Sequence, residues 1–161
     1  MKVISNSSPL INFTTLGHLQ LLHQLYDTIV IPEAVHNEVV VGGQGYPGRE
    51  AIERADWIVR EAVSDLTAVA ALRSLGHGEA EAVILAVENP GALLLLDDRR
   101  GRLAALTMGV NIIGTLGVLL LAKRKGLIPV IAPEIERLQT QVGFRLREEL
   151  KVRVLREAGE G

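Results

Sequence analysis

Cysteine is absent from this chain of 161 residues, which excludes disulfides and thiolate metal sites and leaves His, Asp, Glu and Asn as the strong ligand types. Those donors favour hard, oxygen-bound cations. Long hydrophobic runs are missing too. The most apolar region, residues 110–122, contains Asn111 and Thr115 and is cut off by Lys123-Arg124-Lys125, well short of the roughly 20 residues a membrane helix needs. It reads as a core helix, and no membrane partner is expected. The opening Met1-Lys2-Val3-Ile4-Ser5-Asn6 has neither a long apolar stretch nor a small-residue cleavage site, so the expected location is the cytoplasm. Nor is there a surplus of charge. A net charge of −2 neither recommends nor forbids a nucleic-acid partner, so any phosphate binding has to be local. Internal repeats and low-complexity tracts are lacking, and His18, His23, His36 and His77 show no paired spacing such as HExxH, so each reads as a surface or packing residue. His77, beside Glu79, is the one histidine worth mutating.

What is present is ample core material: 48% of residues are hydrophobic against 22% charged, and the length suits one domain of on the order of 100 to 200 residues. Short β-branched or leucine-rich runs (Val3-Ile4, Thr28 to Ile31, Trp57 to Val59, Leu93 to Leu96, Asn111 to Ile113) alternate with longer segments of helical period, which argues α/β. The runs are apolar on both faces, as strands are when helices cover both sides of a parallel sheet. The expected fold is therefore a three-layer α/β/α sandwich around a mostly parallel sheet. Helix starts are expected at Ser8-Pro9, at Pro32, at Gly78-Glu79 and at Thr115 as a cap. Two amphipathic helices are expected from about 133 to 158, divided at Val142-Gly143-Phe144.

In open parallel sheets, active sites form beyond the carboxyl ends of the strands. Asn6 follows the first run, Glu38 lies on the helix after the second, Asp97-Asp98 follow the Leu93 run, and Gly114-Thr115 follow the last. Glu79 joins this edge if its helix begins above it. Carboxylates gathered in one cleft repel each other unless a cation neutralises them, which is why such clusters hold Mg²⁺ or Mn²⁺. Each residue also has a plainer reading. Asn6 suits a turn or cap before Ser7-Ser8-Pro9, Glu38 a solvated helix face, Glu79 a first-turn acid facing the macrodipole, and Asp97-Asp98 an ordinary turn. Arg99, Arg100 and Arg102 would meet substrate phosphates or simply line a solvated helix face. Gly43-Gln44-Gly45-Tyr46-Pro47-Gly48 matches GxGxxG, but the helix from Glu50 to Ala55 is too short for a crossover and Pro47 removes an amide, so a surface loop is the simpler account.

Five stretches carry a resemblance: VISNSSPLINF at the amino terminus, IVIPEAVHNEV from Ile29, GHGEAEAVILA from Gly76, LLLDDRRGRLAA from Leu94 and GTLGVLLLAKRKGLIP from Gly114. Together they make the chain similar to the PIN domain superfamily, in particular to a prokaryotic branch related to VapC-type toxins. The resemblance covers nearly the whole chain. It implies a metal-dependent ribonuclease acting on single-stranded RNA, with Mg²⁺ or Mn²⁺ held by Glu38, Glu79 and Asp98, or by Asp97 of the same pair, and with Asn6 where the family's first acid stands. Asp98 is favoured over Asp97 because neighbouring strand residues point to opposite faces and similar TDD steps use the second aspartate. Ser8, Arg99, Arg100 and Thr115 are candidate substrate contacts. Asparagine offers a carbonyl oxygen but no negative charge, so the alternative is a silent PIN-like module that binds RNA or a protein. By analogy a homodimer and a protein antitoxin are also expected.

Overall fold

The computed structural model describes residues 1–42 and 48–161. The GxGxxG reading falls on residues 43–48, of which 43–47 lie outside the described residues. Five three-residue strands, β1 (Val3–Ser5), β2 (Ile29–Ile31), β3 (Ile58–Arg60), β4 (Leu93–Leu95) and β5 (Asn111–Ile113), form one sheet of order β3-β2-β1-β4-β5, and every pair is parallel. Helices cover both faces, giving the expected three-layer α/β/α sandwich, PIN-like in arrangement. Among the described residues, no helix is long and apolar enough to cross a membrane.

Strand alternation explains the layers. Side chains along a strand point to opposite faces in turn. Val3, Ile29, Ile31 and Leu95 therefore join one core, built with α1 (Ser7–Thr15), α2 (Leu19–Tyr26), α8 (Thr115–Arg124), α9 (Ala132–Arg137) and α10 (Glu148–Glu157). Ile4, Val30, Leu94 and Leu96 join the other, built with α6 (His77–Glu88) and α7 (Arg99–Thr107). Leu94, Leu95 and Leu96 are each 0% exposed. Burying one such side chain stabilises the fold by about 1.5–3 kcal/mol. The short helices α3 (Glu33–His36), α4 (Arg49–Arg54) and α5 (Leu66–Ala71) fill the connections.

Several helix starts differ from the expectation by one residue, with physical reasons. Pro32 caps α3 from outside in extended backbone, its φ of −72° serving the approach to the helix. Gly114, not Thr115, is the cap of α8; the Thr115 hydroxyl is committed to Asp97 instead. Asn6 is the cap residue of α1 but makes no side-chain capping bond.

The strand order positions the site. Numbering runs outward from β1 through β2 to β3 on one side, then resumes at β4 and β5 on the other. The sheet thus reverses between β1 and β4, and such a reversal opens a crevice at the strand carboxyl ends. Asn6 lies there, its amide donating to the Leu95 carbonyl (3.0 Å).

Candidate active site

Three acids remote in the chain are drawn to this edge by different local devices. After His36 the chain widens into a π turn over Asn37–Val41, which carries Glu38; such turns recur at functional sites. The Glu38 carboxylate accepts the Ser7 hydroxyl on Oε2 (2.6 Å) and the Gly78 amide on Oε1 (3.0 Å). That amide is one of the four at a helix start that have no partner within the helix. The approach is close enough that any side chain at this position would displace the Glu38 carboxylate. A Cβ at Gly78 would stand 2.8 Å from Glu38 Cδ.

Glu79 is the third residue of α6, whose cap is Gly76. Its carboxylate bonds back to the Gly76 amide, the reciprocal half of a capping box. On its far side it abuts Gly101 in the first turn of α7, where a Cβ would stand 3.1 Å from Glu79 Oε2. Asp98 caps α7, its Oδ2 accepting the Gly101 amide (3.0 Å). Glu79 therefore meets Asp98 at hydrogen-bonding range and feels the Glu38 charge as well.

The electrostatics follow. Burial, the Asp98 hydrogen bond and the Asp98 and Glu38 charges push Glu79 up to about 7, against the opposing Gly76 amide. Burial alone would raise Asp98 too, but bonds from Glu79, from the Gly101 and Arg100 amides, and the Arg100 charge outweigh it and hold Asp98 below its ordinary value. Two ionised carboxylates have no proton to share. Either Glu79 is protonated and donates to Asp98, or the pair requires a positive partner.

Asp97, one residue earlier, faces the other way. Its Oδ1 accepts the Thr115 amide (2.7 Å), and its Oδ2 accepts the Thr115 hydroxyl (2.6 Å) and the Asn12 amide (3.1 Å). Burial raises its pKa in spite of these bonds and of the Arg102 charge. It ties β4 to α1 and α8 rather than joining Glu79. Thr115 is 0% exposed, and its hydroxyl is spent on Asp97 inside the fold. Ser8 and Arg99 are exposed and line, with Asp98, a cleft of about 940 Å³. Arg100 is exposed beside Asp98. His77 reaches Glu81 Oε2 at 3.2 Å and does not join the acids.

Four contributors escape the sequence reading: Ser7, Asn12, Gly78 and Glu81. Asn12 and Glu81 are 4% and 7% exposed within largely apolar helices, and an isolated polar residue at such a position is itself a signal of a required partner. Glu81 Oε1 accepts the Ala34 amide (3.0 Å), fastening the start of α3 to α6 and so aiming Glu38 at the crevice.

The donor set suits a hard divalent cation. Asn6 Oδ1 and Glu79 Oε2 are buried without hydrogen-bond partners in the protein, so each has an oxygen open to a donor or a cation. Among the described residues, no three His, Asp or Glu side chains already stand in chelating geometry. The Glu38 and Asp98 carboxylates are exposed at this edge, each already held by hydrogen bonds.

No curated protein and no solved structure matches the chain significantly. A family model described as a PIN domain matches residues 2–160. PIN domains are in general nucleases and typically use divalent metals. A match over nearly the full length, on a parallel sheet with acids at its reversal point, places the chain in the PIN domain family.

Proposed function

We propose that the chain is an endoribonuclease that hydrolyses phosphodiester bonds of single-stranded RNA, with Mg²⁺ or Mn²⁺ held by Glu38, Glu79 and Asp98 and with Asn6 Oδ1 as a neutral donor. The observation that carries the proposal is the convergence of these acids on Glu79, which also leaves one buried carboxylate oxygen without a partner. A bound divalent ion would acidify an attacking water and offset charge on the scissile phosphate.

The protein's own part is positional. Ser7 and Gly78 hold Glu38 by both oxygens, so its charge stays at the mouth of the crevice. The α7 cap fixes Asp98 beside Glu79. Asp97 and Thr115 tie the end of β4 to α8 just before Asp98. With Glu79 close to half protonated near neutrality, a cation entering the site displaces a proton, and tighter binding is expected as pH rises.

Asn6 reduces the charge of the donor set, which favours modest cation affinity over a closed site. The resemblance to VapC-type toxins extends the proposal to the toxin of a toxin-antitoxin pair, cytoplasmic, homodimeric and held by a protein antitoxin. The direct test is Mn²⁺-dependent cleavage of a labelled single-stranded RNA by wild type and by Glu79→Gln. Cleavage by the wild type that the variant loses supports the enzyme; equal cleavage by both removes its basis. No cleavage by either leaves the silent binding module as the better account.

A further inference from the structure

The segment between the last two helices has a pattern the acid cluster does not use. Gly143 to Arg147 runs without regular hydrogen bonding between Val142 and α10, and its side chains alternate. Phe144 and Leu146 are partly buried against the core, while Arg145 and Arg147 are exposed. An extended backbone turns alternate residues to opposite sides, so both guanidinium groups look outward together. Arg153, four residues after Glu149 on α10, shares a helical face with it. Arg99, at the start of α7, completes the set.

These four arginines line one trough of about 910 Å³, in which Glu149 is the lone acid. Arg99, Arg145 and Arg147 also line the cleft that contains Asp98. The trough and the acid site are thus one continuous surface. Among the described residues, none of the four arginines pairs with a carboxylate, whereas Arg54, Arg60 and Arg137 do. In a chain of net charge −2, four unpaired guanidiniums facing one groove create a local field of the opposite sign. Guanidinium is a donor fork suited to phosphate oxygens.

We infer that the Arg99, Arg145, Arg147 and Arg153 trough grips the phosphates of the RNA strand on one side of the cleavage point and leads it to Glu79 and Asp98. The inference rests on the nuclease reading for its substrate class, but its contacts are separate from the acids. A strand held in the trough reaches Asp98 by way of Arg99, Arg145 and Arg147, which line both the trough and the cleft. Binding therefore depends on salt, and the arginines account for the dependence. Each phosphate contact on a single strand contributes a slope of about −0.7 in the logarithm of affinity against the logarithm of salt concentration.

The test uses a fluorescent uridine oligonucleotide of single-stranded RNA and the full chain in EDTA, with anisotropy read across a KCl series. Arg147→Ala and Arg153→Ala are each expected to shorten the slope by about 0.7 and to weaken binding several-fold, with unchanged thermal midpoints. Arg124→Ala removes the same charge from an exposed position at the end of α8 and is expected to bind as wild type. Trough variants with the wild-type slope, or an equal loss in Arg124→Ala, would overturn the inference. Failure of the two ideas is separable. If Glu79→Gln still cleaves while trough variants lose binding, the acids are not the active site but the trough stands. If trough variants bind normally while Glu79→Gln is inactive, the trough fails and the nuclease remains.

Discussion

Asp97 and Asp98 are neighbours in the chain and opposites in the structure. Asp97 is turned into the fold, where Thr115 and Asn12 satisfy both of its oxygens. Asp98 is turned to the crevice, where it meets another acid, Glu79, with Glu38 close behind. One aspartate completes a self-contained polar network, and such networks specify a packing arrangement. The other belongs to a cluster that the protein alone leaves short of positive charge. Adjacent strand positions separate the two environments, and under the proposed function Asp97 belongs to the architecture and Asp98 to the cation site.

The contrast is most sharply broken by isosteric changes on each side. Glu79→Gln keeps shape and removes charge; cleavage of single-stranded RNA in Mn²⁺ is expected to fall at least about 100-fold, as when a transition-state contact is lost. Its folding is expected to survive, which circular dichroism checks. Thr115→Val acts on the other side. It removes a buried hydroxyl that donates to Asp97, and a cost of about 2 kcal/mol is expected, seen as a thermal midpoint lower by about 6 °C. A midpoint unchanged by Thr115→Val would mean that Asp97 is not the structural member of the pair.

Asn6→Asp sharpens the comparison by adding charge to the crevice alone. Mn²⁺ affinity and cleavage are expected to rise by about tenfold, because ligand charge sets the affinity of oxygen sites. In EDTA the same variant is expected to be less stable than wild type, since a carboxylate then stands beside three others at a position only 4% exposed. Unchanged Mn²⁺ affinity, read by calorimetry, would place Asn6 outside the site.

A smaller effect comes from pH. The Glu79 carboxyl titrates near 7 in the fold against 4.5 for an unperturbed group, so the folded state binds more protons than the unfolded state between those values. Stability from this group is full below about 4.5 and declines as pH rises through 7. Glu79→Gln is therefore expected to match wild type at pH 4.5 and to exceed it by roughly 1–3 kcal/mol at pH 8 in EDTA. Urea denaturation at the two pH values measures this. A difference that shrinks with rising pH contradicts the assignment.

Much of the layer architecture was legible in the chain, because runs such as Leu93 to Leu96 are apolar at every position and only a doubly covered parallel sheet buries both faces. Strand parity implied that Asp97 and Asp98 point to opposite faces; the preference for Asp98 as the ligand came from the family resemblance. What stayed hidden depends on contacts across long separations. Glu81 looks like one more helix acid until Ala34 is found against it, and Thr115 looks like a cap until Asp97 claims its hydroxyl. Gly78 and Gly101 read as ordinary helix-start residues, yet each leaves room for a carboxylate that arrives from elsewhere. Arg145 and Arg147 stay hidden in the sequence because the expected break covers only Val142-Gly143-Phe144, whereas the second helix starts at Glu148 and leaves both arginines on an irregular segment with an exposed face.

The central claim is that Glu38, Glu79 and Asp98 share a single divalent cation, and an equilibrium titration with Mn²⁺, read by the electron paramagnetic resonance of the free ion, tests it most directly. The expected result is one site whose affinity drops at least about tenfold in Glu38→Gln, Glu79→Gln and Asp98→Asn and holds in Asp97→Asn. Wild-type affinity in all three of the first set, or a loss confined to Asp97→Asn, would contradict it.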